Sequence, residues 1–503
     1  MINRKPIIRT DKWSLNPTAQ QQMLFAETVK VYRRLCRHLV GVIYTHWAEL
    51  GGLSNQQIIP AVERLIHQTA QNPNVKYASF DRVFHKFPSY YRRGAIAFAF
   101  GQVSSFVARY QQWQSGTRKR REANPPTLNA NTGCYPTLYK GQCYKLHGYD
   151  QVEIKVFTGT DWIWTTVQIA GLGERHRVDT NKLLSPSLIC NQHSCHLSVP
   201  FECHPEKRQS DQNVVAVDLG INTTATVSVV TFCGTVIHRE LIHPGRDIDR
   251  RDKQLKSVSV RASKTILLRK VRSTILLRKV RSTMGKGGKL QKGFCSNTYR
   301  KCRHINQQIA HIVSRRIVQI AKAFNAEAIV FENLKGWKAT GGRKRSPLRQ
   351  RFQGWLKSMI RDYSEMKWQE AGGKTIDVIA ACTSKLAYDG SGVVERDGRN
   401  YALAKFASGK RYSADLNGAY NIAARGILKL TCRKESEGYL GKSSRYSPRS
   451  WAGLCDLWAN QRVTGQHRHH HLASAGGVSF IWSLPNLTSS RPKDAPSQPN
   501  KPG

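Results

Sequence analysis

NVVAVDLGINTTATVSVV, residues 213–230, reads as a strand, a turn at Gly220 and a second strand, because its β-branched residues favour extended backbone. Asp218 interrupts the apolar run at the end of the first strand. A carboxylate there is costly to keep ionised without cations or hydrogen bonds, which makes the position a candidate for chemistry.

Two further segments repeat that pattern. EAIVFENL, residues 327–334, predicts a short buried strand that ends at Glu332. Upstream of it, YRKCRHINQQIAHIVSRRIVQIAKAFNA has a helical period in which Ile305, Ile309, Ile312, Ile317 and Ile320 form a buried stripe, while His304, Arg315 and Arg316 face solvent or phosphate. KRYSADLNGAYNIAARGILKL, residues 410–430, places Asp415 just before a helix whose Ala419, Ile422, Ala423 and Ile427 allow close packing on a sheet.

One sheet edge can therefore gather Asp218, Glu332 and Asp415, the candidate catalytic residues and metal ligands. Phosphodiester hydrolysis needs a positioned water, stabilised phosphoryl charge and help for the departing oxygen. Two divalent ions about 3.5–4 Å apart supply all three, and carboxylate oxygens suit Mg²⁺ or Mn²⁺. Set against this is the plainer reading that ordinary acids border strands in a chain with 33 Asp and Glu.

The 503-residue chain carries 79 Lys and Arg and a formal net charge of +46, which points to a polyanionic partner. Lys253–Ala326 contains no acid and 19 Lys or Arg, and within it TILLRKVRS occurs at Thr265–Ser273 and again at Thr274–Ser282. No signal peptide opens the sequence and no apolar run reaches the roughly 20 residues of a membrane span, so a cytoplasmic protein associated with nucleic acid and not with membrane is expected. Twelve irregularly spaced cysteines fit reduced thiols. Cys190, His193, Cys195, His196, Cys203 and His204 are dense enough to invite a zinc reading, yet they match no closed site, and their flanks read as a hairpin.

Residues 1–125 read as a mainly helical region with an initial strand, and 126–210 as β-rich. The candidate nuclease core spans 211–380 with a basic helical insertion, 381–413 is a ribbon-like segment, 414–430 is the final core piece, and 431–503 is an irregular tail. Phe84, Phe87, Tyr90, Tyr91, Arg92 and Arg93 form an aromatic and basic patch that suits either base stacking or a helical core.

AVDLGINTTATVS, AEAIVFENLKGWK and YSADLNGAYNIAARG resemble the three catalytic segments of the split RuvC-like nuclease in the TnpB family, transposon-encoded RNA-guided endonucleases related to type V CRISPR effectors. The resemblance implies an α/β fold: an RNase-H-like RuvC nuclease core with an N-terminal helical recognition region and a β-barrel wedge domain. It also implies a prokaryotic insertion-sequence origin, a noncoding guide RNA, a target DNA, and Asp218, Glu332 and Asp415 as ligands of Mg²⁺. RNA pairing would read sequence while the basic protein reads backbone and shape. One departure concerns the ribbon. Relatives carry four zinc-binding cysteines there, whereas Cys382 is the only one here, so no zinc is expected in residues 381–413. Guided binding without cleavage and transposase-type strand transfer stand as the alternative functions.

Overall fold

The computed structural model describes residues 6–126, 133–191, 194–206, 208–221, 223–268, 293–336, 355–398 and 400–431. Most of the TILLRKVRS duplication, the basic loop after Gly336 and the tail after Thr431 lie outside these residues. The chain divides into two compact units, Met1–His204 and Pro205–Gly503.

The first unit runs β1 (Ile7–Asn16), α1 (Ala19–Thr45), α2 (Trp47–Leu50), α3 (Asn55–Ile66), α4 (Ser79–Val83) and α5 (Ser89–Gln114), then β2 (Tyr144–His147), β3 (Gln151–Phe157), β4 (Trp162–Gly171), β5 (Lys182–Leu183), β6 (Ser187–Asn191) and β7 (Ser194–Cys203). Its strands form a seven-stranded antiparallel sheet in the order β2-β3-β4-β1-β7-β5, with β6 also paired to β7, curled into a half-barrel. The strand from before the first helix thus lies between β4 and β7. Thr18 and Gln21 cap α1 reciprocally, and Gln21 Nε2 donates to the Thr166 carbonyl at 2.7 Å, which ties the helix start to β4. Phe25, Val29, Tyr32, Cys36, Leu39 and Ile43 then recur at three- and four-residue steps on the buried face.

The structure decides one open sequence reading in this unit. Phe84, Phe87 and Tyr91 are 6%, 7% and 0% exposed and belong to the core, so these rings are not free to stack on bases. Cys190 and Cys195 face each other across the β6–β7 hairpin, and the eight other described cysteines are free thiols. Hairpin register brings the two together, and spacing alone does not reveal register.

The second unit contains β8 (Asn213–Asp218), β9 (Ala225–Thr231), β10 (Val236–Ile242), α6 (Gly245–Leu268), α7 (Ser296–Ala323), β11 (Ala328–Glu332), α8 (Lys357–Glu370), β12 (Lys374–Val378), β13 (Glu395–Arg396), β14 (Leu403–Lys405), β15 (Arg411–Ser413) and α9 (Ala414–Thr431). The five-stranded sheet has the order β10-β9-β8-β11-β12. Its first three strands are antiparallel, and β8, β11 and β12 are parallel. Numbered within the sheet the order is 3-2-1-4-5, that of a ribonuclease-H-like core.

Strand alternation divides the core into two layers. Val215, Val217, Ile329 and Phe331 pack with α7 and α8, while Val214, Ala216 and Val330 pack with α9. In α7 the buried stripe runs through Ile305, Ile309, Val313, Ile317 and Ile320, whereas Ile312 is 44% exposed. An unbroken four-residue step from Ile305 to Ile317 passes over Ile312 and selects Val313. Arg316 faces outward and pairs with Glu240 of β10 through two hydrogen bonds of 2.7 Å. Among the described residues no helix is long and apolar enough to cross a membrane.

Candidate active site

Asp218 and Glu332 end adjacent parallel strands, one step beyond the paired Val217 and Phe331. Neighbouring strands lie about 4.8 Å apart, and residues in register share a face. The alternation that sends Val217 and Phe331 toward α7 and α8 sends Asp218 and Glu332 to the opposite layer, that of α9. Asp415 lies in the first turn of that helix. The three sequence-selected acids therefore occupy one end of one face of the sheet.

Their electrostatics reflect this placement. Burial holds the Asp218 carboxyl well above the usual carboxylate range, and the charges of Glu332 and then Asp415 push it further, with Arg396 opposing. Burial also raises Glu332, against the Thr383 hydrogen bond and the charge of Arg425. Asp218 sits so close to α9 that a Cβ on Gly418 would fall 2.6 Å from its Oδ2, which explains the glycine in ADLNG.

Sequence reading missed the residues that brace this end. The Thr383 hydroxyl donates to Glu332, and the segment that carries Thr383 is held by α9. Asn421 Nδ2 donates to the carbonyls of Thr383 and Leu386, both at 2.8 Å. Asn417 Nδ2 donates to Leu386 O at 2.7 Å, and its Oδ1 accepts from the Tyr388 N–H at 2.8 Å. Arg425 donates to the Ile379 carbonyl. Asn417, Asn421 and Arg425 recur every four residues, so one face of α9 is a polar rail for residues 379–388. That spacing, in an otherwise apolar helix, was the available signal.

The ribbon strands β13, β14 and β15 form a three-stranded antiparallel sheet. Tyr388, Phe406, Tyr412 and Tyr420 pack ring against ring beneath it, and Lys410 Nζ donates to the Tyr388 hydroxyl at 2.9 Å. A cleft of about 180 Å³ opens beside Glu332, with Lys335 and Lys357 on its wall. Arg361 in the same wall holds Asp377 through hydrogen bonds of 2.8 and 2.9 Å, so that acid is already neutralised.

Among the described residues no group of three or more His, Cys, Asp or Glu side chains converges closely enough to hold one metal ion. Asp218, Glu332 and Asp415 share a field without closing on a single point. By donor chemistry they suit a hard divalent cation: they are oxygen ligands, mutually repelling, and Asp218 makes no side-chain hydrogen bond among the described residues.

Fold and site together define a ribonuclease-H-like protein with acids at the carboxyl ends of its parallel strands. Solved structures of RNA-guided effectors share this fold. CasPhi-2, solved with crRNA and phosphorothioate DNA, superposes with a TM-score of 0.53 at 10% identity, over 84% of this chain and 91% of the other. The mini-RNA-guided endonuclease CRISPR-Cas_phi3 gives 0.52 at 11% identity, over 84% and 93%. Cas12f1, solved with sgRNA and target DNA, gives 0.50 at 13% identity, over 84% and 99%. Residues 9–158 match the Aq_aa04 family, and no curated protein matches the chain.

Proposed function

We propose that the chain is an RNA-guided, divalent-metal-dependent DNA endonuclease of the TnpB type, with Asp218, Glu332 and Asp415 as metal ligands. The supporting observation is the placement of these acids at one sheet end, where burial and mutual repulsion raise Asp218. That charge is poorly balanced by protein alone and suits a bound cation. Bound Mg²⁺ or Mn²⁺ would supply Lewis-acid stabilisation of phosphoryl charge and a metal-activated water. Thr383 opposes the burial that raises Glu332 and orients its carboxylate, Gly418 leaves room for Asp218 against α9, and the polar rail of α9 fixes Thr383. The net charge of +46 suits a protein that follows guide RNA and target DNA backbones while base pairing selects the sequence.

The test is to purify the protein from its host, sequence the bound RNA, and offer a matching DNA duplex with Mg²⁺. Wild type should cut it. Asp218→Ala should bind RNA and DNA nearly as tightly and lose at least about 100-fold in cleavage rate, as expected when a residue that stabilises transition-state charge is removed. Equal cutting by both proteins rules out this role for Asp218. Guided binding with no cutting by wild type selects the binding-only alternative, and joined strands in place of free ends select strand transfer.

A further inference from the structure

In the first unit, α1 and α5 run side by side in the same direction, since Tyr32 meets Tyr91 at 6.3 Å and Tyr44 meets Phe106 at 5.9 Å between ring centroids. The residues of α5 after Phe106 continue past that last contact by about 12 Å, at 1.5 Å per residue. Tyr110 and Trp113 lie on this extension and continue the ring series, with Phe106–Tyr110 at 5.8 Å and Tyr110–Trp113 at 5.1 Å. Both are only partly buried, and Tyr44 at the near end is 57% exposed.

The chain then folds back over the rings. Arg118 Nε donates to the Gln112 side chain at 2.9 Å, and the Arg120 guanidinium lies 4.9 Å from the Trp113 ring centroid and 6.0 Å from that of Tyr110. Between Arg109 and Glu122 there are cations at Arg109, Arg118, Lys119, Arg120 and Arg121 against one acid, Glu122, which pairs with Arg121 at 3.9 Å and leaves four cations in excess. An apolar patch alone would accept many partners, but rings interleaved with this much unbalanced charge select a polyanion that also has flat faces.

We propose that this end of α5 binds an unpaired stretch of nucleic acid, with Trp113 and Tyr110 stacking on bases while the surrounding cations take the phosphates. The inference rests on the nucleic-acid reading above but not on cutting. Unpaired rather than duplex nucleic acid is favoured because stacking needs exposed base faces, which a duplex hides.

The test uses the full chain and a short single-stranded oligouridylate carrying 5-iodouracil, photocrosslinked and mapped by mass spectrometry. Adducts are expected at Trp113 or Tyr110. Trp113→Ala should lower affinity for the single strand about tenfold, Trp113→Phe should restore most of it, and a duplex of equal length should bind all variants alike. Matched circular-dichroism melts keep misfolding apart from lost stacking. Adducts only elsewhere, equal losses for single strand and duplex, or displacement of the oligonucleotide by polyglutamate as readily as by unlabelled RNA would overturn the proposal. Asp218→Ala should keep the crosslink, so failure of the cleavage reading leaves this result distinguishable.

Discussion

Asp218 is held against its own chemistry in the metal-free protein. Its folded pKa lies above the unfolded value, so between the two the folded state binds more protons than the unfolded one. Stability then falls as pH rises from the ordinary carboxylate range up to the raised value. In chelator, Asp218→Asn should flatten this slope and raise stability at neutral pH by about 1–2 kcal/mol, measured by thermal melts across pH; a variant less stable than wild type would contradict it. Added Mg²⁺ should stabilise wild type and not the variant. Thr383 makes a second residue-level case. Thr383→Val removes the hydroxyl that donates to Glu332 and should slow cleavage by about 1.5–3 kcal/mol of barrier. The same change in a Glu332→Gln background should add little, and undiminished cleavage by the single variant would dismiss the role. Asp218 and Glu332 were legible because a carboxylate ending an apolar strand is anomalous within its own neighbourhood, and Asp415 because it opens a helix of small and apolar residues. Thr383 was not, because nothing local marks it, and the four-residue spacing of Asn417 and Asn421 marks a polar face of the helix without revealing partners 29 to 38 residues away.

At the scale of elements, helix α9 approaches the sheet more closely than side chains normally permit. A Cβ at Gly426 would fall 2.5 Å from Val330 Cγ2. Gly426→Ala should therefore destabilise the second unit by about 1–3 kcal/mol through overpacking, read in a urea melt, despite the better helix propensity of alanine. Strands β8, β9 and β11 were visible as β-branched runs, as was the small-residue face of α9. Strand β10, VIHRELI, was missed because its polar residues break the apolar run, and it belongs to the sheet by pairing with β9. The tyrosine cluster beneath the ribbon joins residues of four separate segments and leaves no periodic trace.

The whole molecule is dominated by its charge. On the proposed reading, in which this +46 chain follows nucleic-acid backbones, association should weaken steeply with salt, and log affinity should fall linearly with log salt by about 0.7–0.9 per phosphate contacted. Filter binding from low to physiological salt measures that slope, and a flat line would exclude backbone contacts as the main source of affinity. Gross composition revealed this property at once, whereas the fold needed strand pairing across long separations. Chain order adds a constraint. A nascent polypeptide released from the ribosome only as far as β12 already holds two of the three acids, but β8 still lacks the helix that covers its far layer, and Asp415 has not been made. Chain order thus delays assembly of the three-acid cluster until every earlier described element has been made.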